Sequence, residues 1–143
     1  MNLVDANVLL YAVNEDAAHH DRSRRWLDGE LSGAGVVAFS WIALLAFVRL
    51  STKVALFPAP LGVAEAMDRV DAWLGAPGAT VVSPTPDHAG ILRRLLGEVG
   101  TGANLTNDAH LAALSIEHRS GIVSFDNHFS RFSGVSWHPP PLG

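Results

Sequence analysis

The sequence predicts an α/β fold built from parallel βαβ units. Short apolar runs alternate with helical patterns along the whole chain, the order that right-handed crossovers between parallel strands require. Hydrophobic residues make up 48% of the 143 residues, enough for a core with helices on both faces of a sheet. Three aspartates, Asp5, Asp108 and Asp126, sit at ends of apolar runs or the start of a helix. Only a parallel sheet makes neighbours of residues so far apart in the chain, because ligands there bind outside the carboxyl ends of the strands.

The elements follow in order. Residues 2–5 read as a short buried strand, and Ala6 to Val13 as a helix with Asp5 as its N-cap. Asn14-Glu15-Asp16 is a polar break. His19 to Leu31 is helical, with Trp26, Leu27 and Leu31 on its apolar face. Ser32 to Gly35 is a turn, and Val36 to Phe39 a second strand. Ser40 caps a helix from Trp41 to about Thr52, and Phe57-Pro58-Ala59-Pro60 breaks the pattern. Val63 to Leu74 carries Val63, Met67, Val70 and Leu74 at helical spacing. Ala79 to Val82 is a third strand. Pro86 and Asp87 start a helix through Leu96, and Gly97 to Gly102 reads as a mobile glycine-rich break. Thr106 caps a helix from about Asn107 to His118. Ile122 to Phe125 is a fourth strand, and Val135 to Trp137 a short fifth one before Pro139-Pro140-Pro141. One domain over residues 1–143 is expected.

Composition narrows the chemistry. There is no cysteine, which removes disulfides, thiolate catalysis and cysteine zinc sites. Neither a basic leader nor an apolar run long enough to span a bilayer is visible, so a cytoplasmic protein is expected. The net charge of −4 argues against a large basic nucleic-acid surface but not against a nuclease, because metal ions in an acidic pocket invert its local charge. Lys53 is the only lysine, and an arginine-dominated base set with abundant Ala and Gly reads as codon bias in a GC-rich genome.

Each aspartate has a bland explanation: Asp5 as a cap, Asp108 as a first-turn acid favoured by the helix dipole, Asp126 as a turn residue. Capping alone gives no reason for three acids to project from one sheet edge. Gathered carboxylates need cations to stay ionised, which points to a hard divalent metal and hydrolysis of a phosphodiester.

The residues also match a family. Val4-Asp5-Ala6-Asn7-Val8-Leu9-Leu10-Tyr11 resembles the opening motif of PIN-domain ribonucleases. Ser40-Trp41 through Phe47-Val48-Arg49-Leu50-Ser51-Thr52 resembles their second motif, Asn104 to Leu114 the third, and Val123 to Phe129 the fourth. The chain is most similar to VapC toxins of bacterial toxin–antitoxin pairs, of the mycobacterial kind. The resemblance implies a three-layer α/β/α sandwich with a central parallel sheet of four to five strands. It implies endonucleolytic cleavage of structured RNA, tRNA or ribosomal RNA, dependent on Mg²⁺ or Mn²⁺. It makes Asp5, Asp108 and Asp126 the metal-binding and catalytic acids, with Asn7, Asn104 and Ser124 in support. It implies a VapB-like antitoxin as partner, laid as an amphipathic helix against apolar surface, and a homodimer.

The departure is Ala46, which stands where the family carries a glutamate. Its absence removes a metal contact or water-orienting base, so impaired cleavage is expected, whether Ala46 is natural or a substitution that lets a toxic nuclease be produced. A catalytically silent PIN domain that binds RNA or protein is the alternative. An aspartyl-phosphate receiver or phosphatase is disfavoured, because Lys53 lies past the second motif.

The remaining polar residues read as structural. The seven histidines lack a His-x-x-x-His pair beside an acid, which disfavours zinc. His110 faces away from Asp108, and His128 reads as a surface loop residue within reach of a substrate phosphate. Arg49 reads as one half of an ion pair. Arg22, Arg24 and Arg25, like Arg93 and Arg94, read as solvated faces. Trp26, Trp41 and Trp73 read as core.

Overall fold

The computed structural model describes residues 1–54 and 59–142. Five strands, β1 (Asn2–Val4), β2 (Val37–Phe39), β3 (Ala79–Val81), β4 (Gly121–Val123) and β5 (Trp137–His138), form one sheet in the order β3-β2-β1-β4-β5. Every pairing is parallel, with Asn2 opposite both Val37 and Gly121, and Val4 opposite Val123. Among the described residues six α-helices cover the two faces: α1 (Ala6–Val13), α2 (His20–Gly29), α3 (Trp41–Ser51), α4 (Val63–Leu74), α5 (His88–Val99) and α6 (Thr106–Glu117). The expected α/β/α sandwich is therefore present, with five strands.

Side-chain alternation along each strand separates the two cores. Val4, Val37, Phe39 and Val123 pack with α1 to α4, and Trp73 fits there between Phe39 and Phe47 at ring-centroid distances of 6.3 and 4.7 Å. Leu3, Ala38 and Ile122 point to the other face, against α5 and α6. Ala109, Leu111, Ala112, Ala113 and Leu114 of α6 are buried, and its small residues let the helix lie close to the sheet.

The topology fixes the functional edge. The chain leaves β1 through α1 and α2 and returns to β2 on one side. It leaves β3 through α5 and α6 and returns to β4 on the other, beside β1. The strand order thus reverses between β1 and β4, where a parallel sheet opens a crevice at its carboxyl ends. Asp5 directly follows β1 and Ser124 directly follows β4.

Several elements differ from the sequence reading for local reasons. α5 runs through Gly97 to Val99 and ends at Gly100, whose left-handed φ of 72° closes the helix. The glycine-rich stretch therefore begins as helix. Thr106 is the first residue of α6 rather than its cap, because the 3-10 turn Ala103–Leu105 already brings Leu105 into helical geometry. The turn after α2 is a π-type turn over Glu30–Ala34, with Gly33 at φ 117°. β5 starts two residues late, since the ladder with β4 pairs Ile122 with Trp137 and Val123 with His138. Trp41 is 48% exposed at the start of α3 and is not core, whereas Trp73 is buried and Trp26 half-buried. Arg49 is exposed and forms no ion pair among the described residues. Phe57 and Pro58 of the Phe57-Pro58-Ala59-Pro60 break lie outside the described residues. Among the described residues no helix is long and apolar enough to cross a membrane.

Candidate metal centre

Asp5 ends β1 in extended conformation and caps α1, its Oδ1 accepting from the Ala6 N–H at 2.8 Å. Its Oδ2 accepts from the Ser124 hydroxyl at 2.7 Å, across the junction between β1 and β4. Ser124 is fully buried and saturated: its oxygen also accepts from the Asn7 side-chain amide at 3.1 Å and from the Asp126 N–H at 2.9 Å. Asn7 returns the contact by accepting from the Phe125 N–H at 3.2 Å. Trp137 Nε1 donates to the Ser124 carbonyl at 2.9 Å. Ser124 and Asn7 therefore tie the two strand ends into one clamp. Ser124→Ala leaves three polar groups without that oxygen, so a loss of about 1–3 kcal/mol is expected. Urea denaturation checks it, and an unchanged midpoint would count against the clamp.

Asp126 follows the clamp and caps a 3-10 turn over Asn127–Arg131, accepting from the His128 N–H at 2.9 Å. Asp108 comes from the first turn of α6. Its Oδ2 lies 3.3 Å from His128 Nδ1, which is also 3.2 Å from Asp126 Oδ1. Ligand atoms of Asp108, Asp126 and His128 all fall within 4.8 Å of one another, a spacing that one cation can bridge. Asp5 faces the same notch: a cavity of about 80 Å³ is lined by Asp5, Ala6, Ile42, Ala43, Ala46, Asn107, Asp108 and Leu111.

The electrostatics show charge in excess of its compensation. Burial pushes the Asp5 carboxyl above its usual range, against the Ser124 and Ala6 hydrogen bonds, and the nearby Asp126 charge adds to the rise. Asp108 is raised by burial first and by Asp126 second, a rise that the His128 contact only partly offsets. Like charges held together in a half-buried notch behave this way until a cation arrives. A divalent ion fits this donor set.

The three aspartates thus gather at one sheet edge, with Asn7 and Ser124 interlocked beneath them. Asn104 sits exposed on the 3-10 turn before α6 and does not line the cavity. Ala46 projects from α3 onto the cavity wall between Asp5 and Asp108. The sequence places His128 on a surface loop within reach of a substrate phosphate; in the structure its ring leans over two carboxylates. The signal was available in Asp126-Asn127-His128, since an Asp that caps a short helical turn folds the residue two places on back toward itself. Arg22 also departs from the solvated-face reading. It donates to the Pro140 carbonyl and stacks over Phe125 at 5.4 Å. Phe125 is held further by His19 at 4.3 Å and Tyr11 at 5.3 Å, which steadies the segment between Ser124 and Asp126. His110 meets His88 at 2.9 Å.

The family profile described as PIN domain matches residues 3–135. This chain belongs to the PIN-domain family. It is 62% identical over 141 residues to Ribonuclease VapC37 of Mycobacterium tuberculosis, covering 99% of this chain and 98% of that protein. Its fold is similar to that of VapBC2 from Rickettsia felis bound to a DNA fragment from the promoter, with a TM-score of 0.69 at 18% identity over 96% of this chain and 97% of that one. It is likewise similar to Mycobacterium tuberculosis VapC20, a toxin described as cleaving the sarcin–ricin loop, with a TM-score of 0.67 at 19% identity over 95% and 99%. In this PIN domain the third motif supplies Asp108 from α6, and the first and fourth meet through the hydrogen bond between Asp5 and Ser124.

Proposed function

We propose that this PIN domain is a metal-dependent endoribonuclease, the toxin of a type II toxin–antitoxin pair, built to cut structured RNA such as tRNA or ribosomal RNA. The observation that carries the reading is the grouping of Asp5, Asp108 and Asp126 at the switch point of the sheet, in a chain 62% identical to a VapC ribonuclease. Asp5, Asp108 and Asp126 would hold Mg²⁺ or Mn²⁺, which when bound activates a water and stabilises the leaving oxygen of a phosphodiester.

The chain's own residues do the rest. Ser124 fixes Asp5 in one rotamer, and the Asp126 cap fixes the 3-10 turn, so the carboxylates are preset before substrate arrives. Asn7 holds the Phe125 backbone and keeps the rim of the notch in place. Cation binding turns an anionic notch into one that accepts phosphate. Asn104, on the exposed turn before Asp108, would meet RNA outside the cavity. A VapB-like antitoxin is the partner, by analogy with the VapBC assembly among the structural relatives, and a homodimer is the proposed assembly of this single domain.

Ala46 sets the level of activity. With no carboxylate on the α3 wall of the cavity, cleavage is slow or absent. The same residue favours a second reading, a silent PIN domain that binds RNA or protein without cutting it. Calorimetric titration with Mn²⁺, paired with incubation of cellular RNA in Mn²⁺ or EDTA, separates the readings. Metal binding with weak, EDTA-sensitive cleavage is the expected result. Cleavage untouched by EDTA would overturn the metal-dependent mechanism.

A further inference from the structure

We propose that His128 is a direct metal ligand of this site and that the resulting nitrogen-containing donor set selects a transition ion such as Mn²⁺ over Mg²⁺. The inference rests on the metal-dependent reading above and extends it to a residue which that reading leaves unassigned.

The geometry puts an imidazole nitrogen where a ligand belongs. His128 Nδ1 stands 3.3 Å from Asp108 Oδ2 and 3.2 Å from Asp126 Oδ1, so one ion seated among the three atoms touches all of them. The ring does not arrive there by chance rotation of a loose side chain. Its backbone N–H is bound to Asp126 Oδ1 at 2.9 Å, and the 3-10 turn that carries it is anchored by fully buried Phe129. The imidazole is 45% exposed, which leaves a solvent side for the waters that a catalytic ion keeps.

Asp5 and Asp108 differ in how free their oxygens are. Both oxygens of Asp5 already accept a hydrogen bond, from Ala6 and Ser124, whereas Asp108 Oδ2 meets only the His128 ring. Asp108 Oδ2 is therefore free to take an ion at the cost of its His128 contact alone, and Asp126 Oδ1 keeps its bond from the His128 N–H. Ala46 sharpens the consequence. Ala46 on the α3 wall of the cavity offers a methyl group and no carboxylate, so the site cannot present four carboxylates. It presents three, with an imidazole beside two of them.

Ion choice follows from ligand chemistry. Mg²⁺ binds through oxygen and demands near-ideal octahedral geometry. Mn²⁺ also favours oxygen donors, but it belongs to the first-row transition series whose members accept imidazole, so of the two ions it is the one that gains from a nitrogen ligand. Removing the imidazole should then cost a transition ion more than it costs Mg²⁺.

The test is Mn²⁺ and Mg²⁺ binding by calorimetry, with pulsed EPR of bound Mn²⁺ in the unaltered chain and in H128A. The expected results are an imidazole-nitrogen coupling in the parent that H128A loses, a fall in Mn²⁺ affinity at least as large as the roughly 10- to 100-fold that loss of an outer-shell partner costs, and a distinctly smaller change in Mg²⁺ affinity. EPR of the parent needs no variant, so a folding defect in H128A does not protect the idea. Mn²⁺ binding without nitrogen coupling, equal in parent and H128A, overturns the His128 assignment while the aspartate site stands. An equal loss of both ions without coupling makes His128 a prop for the turn and also overturns it. No Mn²⁺ binding, or binding indifferent to D108N and D126N, removes the aspartate site and this inference together.

Discussion

Replacing Ala46 with glutamate should raise metal-dependent RNA cleavage by about 10² to 10⁴-fold, the range that a positioned acid–base group contributes. Ala46 is half-buried on α3 and lines the cavity shared by Asp5 and Asp108. A longer side chain from that position enters a space of about 80 Å³ rather than a packed core, so overpacking is not the dominant cost. The new carboxylate joins two acids whose protonated forms burial already favours. Two consequences follow. Without metal, A46E should be less stable than the parent at neutral pH, because a further like charge enters the notch. With Mn²⁺ the order should reverse, because the added oxygen binds the ion and ligand binding to the folded state stabilises it. A cleavage assay on cellular RNA and paired melts with Mn²⁺ and EDTA measure both effects. If A46E and its parent are equally inert with Mn²⁺, the missing glutamate is not what limits this chain.

Much of that site was legible before any coordinates, and the reason is local. Asp5 and Asp126 each end an apolar run in the sequence: Asp5 directly follows the three-residue β1, and Asp126 lies three residues past the end of β4. Asp108 opens a helix whose alanines and leucines mark its buried face. What stayed hidden depended on contacts between distant elements or on a turn's rotation. His128 needed the 3-10 turn to swing its ring over Asp108. Arg22 needed the C-terminal segment to bring Pro140 to α2. Trp41 sits on an apolar stripe, yet α3 directs it to the surface, so periodicity placed it correctly on the helix and wrongly in depth. Gly97 misled for another reason: glycine lowers helix propensity, but Ile91, Leu92, Leu95 and Leu96 pack on α6 and the sheet and carry α5 past it.

The aspartate notch should also be visible as a stability cost. The Asp5 and Asp108 carboxyls are raised in the folded protein, chiefly by burial and then by neighbouring charge. A folded-state pKa above the unfolded one means that the fold binds these protons more tightly. Their contribution is full below the ordinary carboxylate range and is lost as pH rises through the raised values. At neutral pH, without metal, both ionised groups therefore weaken the fold. D108N removes one of those charges and keeps the shape. It should melt higher than the parent at pH 7.5 in EDTA by about 1 kcal/mol, or roughly 3–5 °C, and the gain should vanish near pH 4. Burial and His88 lower His110, and the His88 and Thr85 hydrogen bonds hold Glu117 down against its burial, but both groups are common to the two proteins and cancel in the difference. With saturating Mn²⁺ the order should invert, because metal at about 100 times its dissociation constant stabilises the parent by about 2.7 kcal/mol and D108N has lost a ligand. Such a crossing of melting temperatures is the behaviour of a site that trades stability for function. A D108N chain that melts below its parent in EDTA at pH 7.5 would mean that Asp108 is held by favourable contacts and not by confinement among like charges.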